Sequence, residues 1–124
     1  MRSDQELADK MADIEPGLRQ LLMWDVNSLV RWDVLRYFLE NDYAAATLDD
    51  ITLASGRDTE ELLAATGGLV ASGWLARRTV DGETTYTLTQ EREQRLRLNE
   101  LHTALQEHDF RLKALYHWIR PQDA

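Results

Sequence analysis

The sequence predicts a mainly α fold with one small β-hairpin, of the α+β kind. Two observations carry this. Apolar residues recur every three or four positions along most of the chain, as on one face of an α-helix. The exception lies between Leu75 and Leu88, where Thr84, Tyr86 and Leu88 alternate with Thr85 and Thr87 beyond a central Asp81-Gly82. Alternation marks a half-buried strand, and Asp-Gly suits a type I′ turn because both central residues need positive φ. At 124 residues the chain fits one domain with a real but modest core.

The elements follow in order. Residues 4–14 are expected as a helix, with Ser3 or Asp4 as N-cap and Leu7, Met11 and Ile14 on one face. Glu15-Pro16-Gly17 interrupts it, and Leu18, Leu21 and Leu22 restart a helical pattern to about Val26. Residues 29–41 form the strongest amphipathic helix of this half. Leu29, Trp32, Leu35, Phe38 or Tyr37, and Leu39 make its apolar stripe, with Ser28 placed to cap it. Thr47, with Asp50 three residues on, opens a short helix whose Leu48, Ile51 and Ala54 face inward, and Ser55-Gly56 ends it. Asp58 or Thr59 caps the next helix, which runs to about Ser72 on a core face of Leu62, Ala65, Leu69 and Val70, with Gly73 as terminator. Strands at Leu75–Val80 and Glu83–Leu88 flank the Asp-Gly turn. A last helix is expected from about Gln90 to Arg120, stopped by Pro121.

Composition excludes several classes. The apolar share of 44% and charged share of 29% are ordinary for a globular chain. No apolar run approaches the roughly 18 residues a membrane span needs, so no membrane partner is expected. The opening MRSDQELADKM is acidic and lacks an apolar segment, so no secretory signal is expected there. The absence of cysteine removes disulfides, thiolate metal sites and cysteine nucleophiles, and a reducing, cytoplasmic setting is the natural expectation. His102, His108 and His117 form no i, i+4 pair, and no Gly-rich phosphate loop precedes a Lys-Ser or Lys-Thr. No catalytic residue, metal site or cofactor is therefore expected, and the chain is not read as an enzyme.

Helix, turn, helix and hairpin in this order resemble bacterial winged helix-turn-helix transcriptional regulators, in particular the ArsR-like and PadR-like groups. The resemblance covers about residues 29–89. It rests on the Arg31 to Leu39 helix, the Leu48 to Gly56 helix, the Leu69-x-x-x-Gly73-Trp74-Leu75 step and the Tyr86-x-Leu88 return strand. It implies an N-terminal helical extension at 1–28, a winged helix-turn-helix domain at 29–89 and a C-terminal dimerisation helix at 90–120. It further implies a homodimer that binds double-stranded DNA, with the second helix of the pair in the major groove and the hairpin as wing. The cysteine-based metal motif of ArsR-like proteins is absent.

On that resemblance the DNA-binding positions are Arg57 in the turn, Thr59 and Glu60 at the start of the groove-facing helix, Arg77 and Arg78 in the wing, and Arg92 and Arg95 beyond it. Charge argues against base reading. Residues 47–74 carry Asp49, Asp50, Asp58, Glu60 and Glu61 against Arg57 alone. The outward positions Thr59, Glu60, Leu63, Ala64, Gly67 and Gly68 include none of the Arg, Lys, Asn or Gln side chains that read guanine and adenine. The alternative is a winged-helix module whose acidic face binds a protein without touching DNA. Arg77 and Arg78 are either phosphate contacts or a solvated strand paired with Glu83. Gly67-Gly68 either kinks its helix or admits a close neighbour.

The last helix carries Leu98, Leu101, Leu105, His108, Leu112, Leu115 and Ile119 at alternating three- and four-residue spacing, a heptad seam with one polar interruption. It is expected to pair with its copy in a homodimer, with His108 as the polar residue fixing register. Packing within one chain is the alternative.

Overall fold

The computed structural model describes residues 15–119. The helix expected at residues 4–14, and the end of the last helix at Arg120 and Pro121, lie outside the described residues. The chain is mainly helical with one two-stranded antiparallel sheet. The helices are α1 (Pro16–Gln20, continued by a π-helical turn at Leu21–Asp25), α2 (Leu29–Glu40), α3 (Leu48–Ser55), α4 (Thr59–Ala71), α5 (Arg92–Ala104) and α6 (His108–Ile119). The strands are β1 (Leu75–Val80) and β2 (Glu83–Leu88).

The described residues fall into two compact units. One comprises residues 15–29 and 97–119; the other is Val30–Leu96.

In Val30–Leu96, local chemistry explains each boundary. Thr47 and Asp50 form a reciprocal capping box: the Thr47 hydroxyl accepts from the Asp50 amide at 3.1 Å, and the Asp50 carboxylate accepts from the Thr47 amide at 3.0 Å. Gly56, at φ +70, ends α3 in a left-handed conformation that a Cβ would resist. At the end of α4 the Gly73 amide donates to the Val70 carbonyl and the Trp74 amide to the Leu69 carbonyl. That pair of bonds is a Schellman motif, with Gly73 at φ +83 in its left-handed position. It turns the chain straight into β1, so Trp74 and Leu75 enter the core.

The hairpin has the register its turn dictates. Val80 faces Glu83 across Asp81 and Gly82, whose φ values are +52 and +80. Arg78 lies opposite Thr85 and Arg77 opposite Tyr86, so Glu83 is not the cross-strand partner of either arginine. Beside β2, Ala46 exchanges both backbone hydrogen bonds with Tyr86, at 3.0 and 2.7 Å. β2 therefore lies between β1 and the segment leading into α3. Val34, Leu35, Phe38, Ile51, Leu62, Leu69 and Leu88 are fully buried in this unit. Ala54, expected inward, is exposed. It lies about 60° around α3 from Ile51, on the side away from Leu48 and Thr52.

The other unit holds α1, most of α5 and α6. Leu22, Val26, Leu98, Leu101 and Ala114 are fully buried there, and the Trp118 indole donates to the Val26 carbonyl at 2.8 Å. The single helix expected from Gln90 to Arg120 is two helices, broken at Leu105–Glu107. The reason is a change of buried stripe. Leu98, Leu101 and Leu105 are buried along α5, whereas α6 buries Ala114 and Trp118. One straight helix does not present both sets inward, and the polar run Gln106-Glu107-His108-Asp109 supplies the turn. The heptad seam is split accordingly. Its first three leucines are buried within the chain; Leu112 and Ile119 are 52% and 68% exposed, Leu115 is half-buried and His108 is exposed.

Candidate functional site

Helices α3 and α4 and the turn between them carry the densest set of expected functional side chains. Arg57 stands in that turn, and neighbours hold its guanidinium. Its Nε donates to Asp33 of α2 at 2.8 Å, one terminal nitrogen lies 2.7 Å from the same carboxylate oxygen, and the other donates to Glu61 at 2.7 Å. Arg57 is 23% exposed and Asp33 16%. Burial works against the cation, but the hydrogen bond and charge of Asp33, followed by Glu61, outweigh it and hold its pKa above the ordinary arginine value. Arg36 adds a longer contact to Asp33 at 3.5 Å. The one base between residues 47 and 74 is thus engaged in fastening α2 to the start of α4.

The outward face of α4 follows from its buried one. Leu62, Ala65, Thr66 and Leu69 are buried. At 100° per residue the opposite side is Glu60, Leu63, Ala64, Gly67 and Ala71. Thr59, Glu60, Ala64 and Ala71 are exposed, and Leu63 is 53% exposed. Asp49, Asp58 and Glu60 are exposed and make no ion pair among the described residues. On α3, Leu53 is also exposed to solvent.

The two glycines of α4 differ. A Cβ at Gly68 would overlap the Arg31 guanidinium, which lies against this stretch of backbone. Among the described residues a Cβ at Gly67 would meet nothing. The helix runs through both without interruption, so the pair makes no break.

The remaining expected cations separate into two groups. Arg77 and Arg78 are exposed on opposite faces of β1, and Arg92 is exposed at the start of α5. None of the three has an ion pair among the described residues. Arg95 is engaged: its Nε donates to the Thr89 carbonyl at 2.6 Å, and its guanidinium lies 4.3 Å above the Tyr43 ring. Tyr43 is itself unusual, at φ +61 beside Asp42 at φ +56, a left-handed pair of non-glycine residues that ends α2. Sequence reasoning missed Asp33, Tyr43 and the Ala46 pairing. Only the spacing of Arg57 and Glu61, four apart, was a visible signal.

Among the described residues no group of three His, Asp or Glu side chains is arranged to hold a metal ion, and no helix is long and apolar enough to cross a membrane. No protein-family model, curated protein or solved structure matches the chain.

Proposed function

We propose that this chain is a winged-helix interaction module, acting in regulation as a homodimer, that binds a protein partner through the outward acidic face of α4 rather than reading DNA bases. One observation carries the reading. Arg57, the base that would steer this face toward phosphate, is taken up by Asp33 and Glu61. What remains outward is Glu60, Leu63, Ala64 and Gly67, with Asp49 and Asp58 exposed nearby. Such a face repels phosphate and offers no bidentate partner to guanine or adenine. The helix–turn–helix–hairpin order, with Ala46 pairing on β2, supports the winged-helix part. The exposed Leu112 and Ile119 of α6 support self-association.

A charge-only probe tests it. Labelled oligolysine and a labelled short mixed-sequence duplex are titrated with the protein at low salt by fluorescence anisotropy. Oligolysine binds, and Asp58→Lys with Glu60→Lys removes that binding. Duplex binding that falls steeply with salt, with no oligolysine binding, overturns the reading.

A second reading has its own observation. Arg77, Arg78 and Arg92 are exposed cations without ion pairs among the described residues, fitted to hold a nucleic-acid backbone. On this reading Arg77→Glu lowers the salt slope of duplex binding by about 0.9 for each phosphate that is no longer neutralised.

A further inference from the structure

The register of the hairpin determines which peptide groups of β1 face outward. Tyr86 exchanges both backbone hydrogen bonds with Ala46, on the far side of β2 from β1. Its ladder partner Arg77 therefore sits in a non-hydrogen-bonded pair, and the Arg77 amide and carbonyl point away from β2. Alternation gives Thr79 the same orientation, while Ala76, Arg78 and Val80 bond inward to β2. Every residue from Ala76 to Val80 is exposed. Arg77 and Thr79 thus each hold out a donor and an acceptor along an exposed edge, the arrangement onto which a further strand adds.

The side chains select the occupant. Arg77 stands on the sheet face it shares with Tyr86, and Arg78 on the other. Both are exposed, without ion pairs among the described residues. An added strand alternates in the same way, so two successive carboxylates on it meet one arginine on each face. A DNA backbone fits this edge less well. Its phosphates only accept hydrogen bonds, which leaves the outward carbonyls facing acceptors, and a duplex laid on one face reaches one arginine of the pair. The chain carries a net charge of −8, so attraction for a carboxylate has to be local. Asp81 and Glu83, exposed at the hairpin tip, repel a carboxylate there, whereas Val80, 50% exposed, offers an apolar contact. We infer that the β1 edge receives an extended acidic segment of a partner protein as an added strand, two adjacent carboxylates meeting Arg77 and Arg78 and an apolar side chain lying beside Val80. This surface is separate from the α4 face, and the inference does not depend on that reading.

The test titrates labelled probes by fluorescence anisotropy. One is a valine–threonine peptide with a central Glu-Glu pair. Others are the same peptide with Gln-Gln, the Glu-Glu peptide N-methylated at every second residue in either phase, and a short DNA duplex. The Glu-Glu peptide is expected to bind at sub-millimolar concentration, and the Gln-Gln peptide at least about tenfold more weakly. A strand pairs through one edge only, so methylation in one phase should cost at least about tenfold and in the other phase little. Thr79→Pro removes an outward N–H and leaves the ladder to β2 intact, so peptide binding should be lost while the hairpin is kept. Arg77→Glu with Arg78→Glu should turn the preference from Glu-Glu to a Lys-Lys peptide. The phase comparison uses the unaltered protein and does not depend on either variant folding. If the two methylated peptides bind alike, charge alone is at work and the inference falls. It falls too if no peptide binds, or if only the duplex does, in which case the second reading of these arginines stands. If Thr79→Pro halves the mass seen by light scattering, a second copy occupies the edge and the inference is overturned.

Discussion

Removing Arg57 tests whether its guanidinium serves the fold rather than a ligand. Arg57→Ala deletes two kinds of contact. Those with Asp33 are charged hydrogen bonds of 2.7–2.8 Å between groups 23% and 16% exposed. Bonds of that kind contribute about 1.5–3 kcal/mol. The contact with Glu61, which is 43% exposed, is an i, i+4 surface pair worth about 0.3–0.5 kcal/mol. Arg36, 3.5 Å from Asp33, remains and recovers part of the loss. The expected cost is about 2 kcal/mol, or a fall in melting temperature of about 8 °C for a chain of this size. A double-mutant cycle by chemical denaturation apportions it, with a larger coupling for Arg57–Asp33 than for Arg57–Glu61. The pH dependence follows from the raised pKa of Arg57. Stability from such a group is complete below its unfolded pKa and is lost as pH rises through its folded one, which lies above the ordinary arginine value. The deficit of the variant should therefore stay constant from neutral pH to about pH 10. Additive Arg57→Ala and Asp33→Ala effects would refute this account and return Arg57 to the pool of ligand-binding cations.

Three further outcomes are expected. Gly67→Ala raises unfolding free energy by about 1 kcal/mol, whereas Gly68→Ala gains less because the Arg31 guanidinium must move aside; urea midpoints of the two variants distinguish them. Thr47→Ala removes one half of the capping box and lowers stability by about 1 kcal/mol, while Thr47→Ser retains the hydroxyl and most of that stability in the same assay. By light scattering the protein runs at twice 14.3 kDa, and Leu112→Glu with Ile119→Glu returns it to one chain mass. Leu101→Ala instead loses about 2–5 kcal/mol of stability, as a deletion from within the chain should. A dimer untouched by the double variant would move the self-association surface elsewhere.

What could be read in the sequence was what is settled within a few residues. The Asp81-Gly82 turn, the Thr47–Asp50 box and the Gly73 terminator all depend on neighbours at most five positions away. Features set by packing were not legible. Nothing along the chain links Asp33 to Arg57, 24 residues later, or Ala46 to Tyr86, because those meetings depend on how α2, α3 and β2 lie together. The last helix shows a sharper failure. Its heptad spacing from Leu98 to Ile119 is regular, but periodicity tells which residues share a stripe and not what covers the stripe. Trp118, outside the seam, was the residue that mattered, since its indole bonds to Val26 and fixes the buried side of α6. Among the expected DNA contacts, Arg57 and Arg95 are engaged within the chain, and nothing beside them in the sequence signals it. The carboxylate and the ring that hold them come from elsewhere in the chain.

The pairing of Ala46 with Tyr86 also has a consequence for how these molecules meet one another. It shields one side of β2 at that point, so among the described residues the open row of peptide groups belongs to β1. An open strand is a template on which another chain can add a strand of its own. Arg77 and Arg78, adjacent on that strand and facing opposite ways, set like charges against any identical strand that approaches in parallel register. They oppose that kind of stacking whatever else they touch. Neutral, β-favouring replacements such as Arg77→Val would remove that protection and turn a binding experiment into an aggregation experiment. Arg77→Glu keeps a charge on the strand, and for that reason it is the substitution to use.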